Sequence, residues 1–193
     1  MRLLGPLLAA GALLLVACSG GASAASGCEQ LPGVRPGLCP IPVEDREPAP
    51  VDRLPVVGGQ DEVGGPDELG LEAFAGQVVI VNFWASWCGP CRVEQPDLNA
   101  AHELLPADEV AFLGVNIEDA EPNALAHIRE FEIPYPSLFD PANDYASRFS
   151  GVGPRNIPST LFIDREGRVA VRVFGVIGTR ETTSLAALLA DEV

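Results

Sequence analysis

Apolar residues recur along the chain in two periodicities. The strongest run, Val78–Val81, is β-branched, continues into Phe83-Trp84 and gives way near Cys88 to helical spacing from about Pro90 to Leu105. This pattern describes a strand that hands the chain directly to a helix start. Pro96 lies inside the helical stretch and is expected to kink it. Glu109–Ile117 reads as a second buried strand. Glu121–Glu132 sets Leu125, Ile128 and Phe131 on one helix face. His127 falls off that stripe, so it is expected in solvent, and His102 is expected at the surface or end of the preceding helix. Leu54–Val57 followed by Gly58-Gly59 predicts a short strand and turn, and Asp67–Ala75 a first helix closed by Gly76. Tyr135–Phe139 predicts a short strand and Pro141–Phe149 a helix opened by Asp140. Ser159–Ile163 and Arg168–Phe174, joined by Asp164-Arg165-Glu166-Gly167, predict a hairpin, and Arg180–Leu189 a closing helix. The order β, α, β, α, β, β, α, with an inserted helix before the hairpin, is that of an α/β domain with helices packed on a mixed sheet.

The N-terminal quarter has a different texture. Residues 1–17 begin with Met1-Arg2 and continue as a Leu/Ala-rich run, shorter than the roughly 20 residues that span a bilayer. That is the pattern of a signal peptide. Residues 18–53 are rich in Gly, Ala, Ser and Pro with little periodicity, as in a flexible tether, which leaves 54–193 as the folded domain. Charge narrows the partners. Twelve basic residues, none of them lysine, stand against 27 acidic ones for a net charge of −15. Such a surface is soluble and repels phosphate backbones, so nucleic-acid binding is excluded.

Candidate chemistry concentrates at the strand-to-helix junction. A helix N-terminus presents unpaired N–H groups and partial positive charge, which stabilise a thiolate; Cys88 is therefore the expected nucleophile. Cys91, one turn on, is placed to attack a mixed disulfide on Cys88 and release the partner. Glu94 follows Cys91 by three residues on the same helix face and is positioned to take the proton of that thiol. As alternatives, the cysteines form half of a zinc site or a structural disulfide, and Glu94 is a solvated acid that suits the helix dipole. Zinc would need a second Cys or His pair, whereas His102 and His127 stand alone in sequence. Cys28 and Cys39 bracket a segment rich in proline and glycine and are read as a small structural disulfide. A second redox pair or a metal site there lacks the helix-start context of a reactive thiol.

Trp87-Cys88-Gly89-Pro90-Cys91 resembles the active-site motif of the thioredoxin superfamily. Within that resemblance Pro158, in Ile157-Pro158-Ser159-Thr160, matches a proline that is cis and faces the dithiol, so that the backbone of Ile157 pairs with an extended substrate segment. Otherwise Pro158 is a trans proline opening a strand. Thioredoxin itself carries a buried aspartate where Asn82 stands here, and an amide takes no proton at ordinary pH. Asn82, the Glu94 spacing, Glu94-Gln95-Pro96 and the inserted helix together resemble the TlpA/ResA/DsbE-like branch, from about Leu54 to the C-terminus. The resemblance implies a thioredoxin-like fold and a thiol–disulfide oxidoreductase outside the cytoplasmic membrane that reduces protein disulfides, apocytochrome c among them. It also implies a membrane-embedded thiol as electron donor, and substrate contacts at Trp87, Gly89, Pro90, Ile157 and Pro158. No cofactor beyond the Cys88–Cys91 disulfide, no metal, and a monomer are expected. Leu15-Val16-Ala17-Cys18 resembles a lipoprotein lipobox, which implies lipidation of Cys18 and anchoring to the outer face of the cell membrane. Ordinary cleavage near Ala22-Ser23-Ala24 is the alternative. Other functions remain open: a disulfide-forming oxidant, a thiol peroxidase, which would usually need threonine where Ala85 stands, and a lipoprotein scaffold or metallochaperone.

Overall fold

The computed structural model describes residues 32–59 and 65–192. The expected signal peptide, Cys18 and Cys28, and with Cys28 one end of the expected Cys28–Cys39 bridge, lie outside the described residues. Leu54–Pro55 (β1) pairs antiparallel with Glu68–Leu69 (β2). A five-stranded mixed sheet follows, made of β3 (Val78–Trp84), β4 (Val110–Ile117), β5 (Ser137–Asp140), β6 (Ser159–Ile163) and β7 (Val169–Phe174) in the order β5-β4-β3-β6-β7. Three helices are described: α1 (Gly89–Leu104), α2 (Glu121–Phe131) and α3 (Thr179–Ala190). No described helix is long and apolar enough to cross a membrane.

The central strand β3 is parallel to β4, antiparallel to β6 and buried along its whole length, which is why it reads as a continuous apolar run. Its side chains alternate between faces. Val79, Val81 and Phe83 join Leu113, Val115 and Ile117 in one core; Val78 and Ile80 join Leu98 and Ala101 of α1 and Leu185 and Leu189 of α3 in the other. Asn82 has the parity of Val78 and Ile80. A polar residue thus interrupts the stripe beneath α1, one step before the strand ends. β4 also needs Gly114: a Cβ there would lie 2.1 Å from Ser137 Oγ and 2.9 Å from Trp84 Nε1. Without one, Trp84 settles under the dithiol with its indole N–H donating to Ser137 Oγ at 3.3 Å.

Two expected helices are replaced by shorter turns. Asp67–Ala75 contains β2 and only a 3₁₀ turn at Leu71–Phe74, because Gly70 is extended and splits the segment. In Pro141–Phe149 the carboxylate of Asp140 accepts from the N–H groups of Asp144 and Ala146, and Asn143 turns left-handed with φ 57°, leaving a 3₁₀ turn at Ala146–Arg148. The hairpin forms as expected, turning at Gly167 with φ 77°, and α1 continues through Pro96.

Residues 32–53 are the larger departure, since the described part of the expected tether is docked along the sheet edge and α3. Ile41 N–H donates to the carbonyl of Ala170, Ala49 N–H to that of Gly167, Val169 N–H to that of Glu47, and Ser184 Oγ to that of Pro32. Arg46 is buried, donating to the Ile41 carbonyl, to Asp164 Oδ2 and to both oxygens of Glu192. Few apolar residues were needed, because backbone bonds and one buried guanidinium hold the segment. Arg46→Lys keeps the charge but not the fork, and should cost about 1–2 kcal/mol in urea unfolding. An unchanged midpoint would mean that Arg46 does not hold this strap.

Candidate active site

The chain leaves β3 at Trp84 and turns before α1. Asp119, just past β4, fixes that turn by accepting from the Ser86 N–H at 2.6 Å, Ser86 Oγ at 2.9 Å and Asn116 Nδ2 at 3.1 Å. Cys88 is the N-cap of α1, and its sulfur accepts from the Cys91 N–H at 3.2 Å. That is the electropositive helix start anticipated from sequence. Cys88 and Cys91 form a disulfide with an S–S distance of 2.01 Å. Both residues are buried in this disulfide form, with Gly89 and Pro90 exposed between them. Trp87 is 54% exposed but not loose, since its indole N–H donates to the Glu118 carbonyl at 2.9 Å.

The Ile157–Pro158 bond is cis. Ile157 packs against the cluster that contains both cysteines, and the carbonyl of Pro158 accepts from Gly175 N–H at 2.9 Å, which ties this loop to the one preceding α3. Between the Glu118 carbonyl that holds Trp87 and the approach to Ile157 lies an open cavity of about 400 Å³, lined by Glu118, Gly153, Pro154, Arg155 and Asn156. Of the residues expected to meet substrate, Trp87, Gly89 and Pro90 are exposed beside the cysteines in the chain, and Ile157 packs on their cluster from the cis-proline loop.

Glu94 is wholly buried, not a solvated acid. Asn82 Nδ2 donates to its Oε1 at 2.8 Å and to Thr160 Oγ1 at 3.1 Å, while the Ile177 N–H donates to Oε2 at 3.1 Å. Burial pushes the carboxyl up to about 7; the bonds from Asn82 and Ile177 oppose that rise, Asp97 adds to it and Arg35 counters it. A carboxyl one turn beyond Cys91 that is half ionised near neutrality is suited to exchanging a proton with that thiol. The polar interruption at Asn82 thus holds a buried carboxyl, a group able to exchange a proton where an amide is not. The donor from Ile177 had no sequence signal, being a backbone group brought in by the loop between β7 and α3.

The sequence matches the AhpC/TSA family over residues 51–172. The chain belongs to the AhpC/TSA family. Within it, the chain is similar to the thiol:disulfide interchange protein HelX of Rhodobacter capsulatus, 33% identical over 141 residues, covering 72% of this chain and 73% of that protein. It is similar also to the thiol:disulfide interchange protein DsbE of Allochromatium vinosum, 33% identical over 143 residues, covering 74% and 72%. Among solved structures, a secreted thiol-disulfide isomerase from Corynebacterium glutamicum superposes with a TM-score of 0.71 at 29% identity, covering 81% of this chain and 94% of that one. These relatives and the thioredoxin-like α/β fold identify this AhpC/TSA member as a thiol–disulfide oxidoreductase.

Of the two histidines in this AhpC/TSA chain, His102 lies in the last turn of α1, at the helix end as expected, whereas His127 departs from expectation. His127 is buried, stacked on Trp84 at 4.6 Å between centroids and packed against Phe131. Arg92 Nη1 approaches its Nδ1 at 3.3 Å, and burial followed by Arg92 pushes its pKa down to about 4. A neutral imidazole is in effect an aromatic ring in this core, which an apolar-stripe count does not reveal. His102 packs its edge on Phe112 at 5.3 Å. Among the described residues no group of three or more His, Cys, Asp or Glu is arranged to hold a metal.

Proposed function

We propose that this oxidoreductase is lipid-anchored through Cys18 on the outer face of the cell membrane and runs as a reductase of protein disulfides, apocytochrome c among its clients, recharged by a membrane-embedded thiol donor. The observation that carries the exchange chemistry is the buried Glu94 with its pKa near 7, one turn from Cys91; the Gly89-Pro90 pair between the cysteines, like that of the strongly reducing thioredoxin, supports the reductive direction. In the reduced enzyme the Cys88 thiolate attacks a client cystine, forming a mixed disulfide and expelling one client thiolate. Glu94 carboxylate then takes the proton of Cys91, whose sulfur attacks Cys88 Sγ. The Cys88–Cys91 disulfide forms, the second client thiolate leaves, and two electrons have passed to the client. The exposed Trp87, Gly89 and Pro90, the Ile157–Pro158 backbone and the cavity beside them are the proposed client groove. A peroxidase reading is disfavoured by Ala85, which is buried and has no hydroxyl to polarise a peroxide.

The test uses the full chain, signal peptide included, with Cys91→Ser. Lacking the resolving thiol, it should accumulate client adducts on Cys88 that appear in the membrane fraction and dissolve on addition of dithiothreitol. Adducts confined to the soluble fraction would defeat the anchor, and no adducts at all would defeat the reductase.

A further inference from the structure

The 176–177 peptide is held at both ends by ionic groups, Glu94 from within the family match and Arg35 from outside it. Its N–H, on Ile177, donates to Glu94 Oε2 at 3.1 Å, and its C=O, on Val176, accepts from Arg35 Nη2 at 2.7 Å. Arg35 comes from the N-terminal strap and is itself fixed by Glu181 of α3. Its backbone N–H and its Nε donate to Glu181 Oε1 at 2.9 and 2.8 Å, and Nη2 donates to Oε2 at 2.5 Å. Glu181 is buried, and the arginine beside it holds its carboxyl below the usual range. Arg35, Val176, Ile177 and Glu181 all lie outside residues 51–172, to which the family similarity extends.

We propose that Arg35 is a positioning residue for Glu94, acting through the 176–177 peptide to set the pH at which that carboxyl exchanges its proton. A guanidinium on the carbonyl oxygen polarises the amide, and a polarised amide is a stronger donor at its N–H. The same contact fixes the loop, so that the N–H stays aimed at Oε2. Both effects favour the carboxylate, and the positive charge of Arg35 acts in the same sense through space. The other groups facing Glu94 are Asn82 of β3, Asp97 of α1 and Tyr135 before β5, with Cys91 on its own helix. Among those named, Arg35 is the cation, and it reaches the site from a segment that the catalytic motif does not include. The strap that departs from a free tether is, on this account, part of the acid–base machinery.

The functional consequence rests on Glu94 serving as the proton acceptor, but the coupling itself can be read without catalysis. The experiment titrates the Glu94 carboxyl by infrared difference spectroscopy in the oxidised full domain, residues 32–193 preceded by its native tether, with Glu94→Gln identifying the band. Arg35→Gln should move the Glu94 midpoint upward on the order of half a pH unit, and Arg35→Lys should restore part of the shift. In stopped-flow turnover the rate below the midpoint should then fall about threefold, with little change at pH 9. Adding Arg35→Gln to Glu94→Gln should produce no pH-dependent change. If Arg35→Gln does not fold, Arg35→Lys alone should still shift the midpoint upward by a smaller amount. A midpoint equal to wild type in a folded variant overturns the proposal, as does a loss of rate equal at every pH. A shifted midpoint with an unshifted rate profile would instead sustain the coupling and remove Glu94 from the proton-transfer step.

Discussion

Cys88→Ser should abolish client reduction, by at least about 10³-fold in kcat/KM, while leaving a folded domain. A serine hydroxyl is not ionised near neutrality and forms no disulfide, so neither the helix start nor the Cys91 N–H can activate it. The helix has little reason to unravel, because a serine oxygen is a better N-cap than sulfur for the N–H of Cys91. Insulin reduction by the dithiothreitol-charged enzyme measures the loss, and far-ultraviolet circular dichroism checks the fold. Residual turnover above a few per cent would move the nucleophile elsewhere, with Cys91 the first candidate.

The second large effect belongs to Glu94→Gln, and it has opposite signs for rate and for stability. The carboxyl titrates near 7 in the fold and near 4.3 in an unfolded chain. Its folded pKa is raised, so its contribution to stability is complete below about pH 4 and is lost as pH rises through 7. The protein should therefore lose at most about 3.5 kcal/mol between pH 4 and pH 8 through this group alone. Glutamine has nothing to ionise. Its amide can still be satisfied: the oxygen accepts from the Ile177 N–H, and a flipped Asn82 accepts from the new NH₂ while Thr160 donates its hydroxyl to Asn82. In urea titrations the variant should match wild type near pH 4 and exceed it at pH 8 by roughly 1–3 kcal/mol. Turnover at pH 7 should fall about 10²-fold, the scale of a lost general base, and the inflection near 7 should vanish from the rate profile. Parallel stability curves would mean that the carboxylate is already well solvated in the fold.

What sequence reveals here depends on how local each feature is. The dithiol is written in one continuous stretch, since a β-branched run, two cysteines and a helical pattern specify strand, cap and nucleophile together. Glu94 is legible as far as its spacing from Cys91. Its burial is not, because the walls come from Asn82 on β3, Thr160 on β6 and Ile177 before α3. His127 shows the converse: its ring faces Trp84 and Phe131, and a polar letter off the apolar stripe conceals an aromatic core residue. The two short turns that stand where helices are expected are decided by Gly70 and by the side chain of Asp140, which outweigh neighbours of adequate helix propensity. The strap is hidden in the sequence because composition counts apolar residues, whereas backbone pairing with Gly167, Val169 and Ala170 needs none.

That docked strap also sets a length. If Cys18 is held at a lipid surface, as proposed above, a tether running free to Leu54 would give the domain a radius of action of up to about 125 Å. Because the chain is already fastened to α3 at Pro32, only the steps from Cys18 to Pro32 remain, and those extend no further than about 50 Å. Under that proposal the enzyme would be short-leashed, exchanging disulfides only within that distance of the bilayer, and distant soluble cystines would be served only by diffusion toward it.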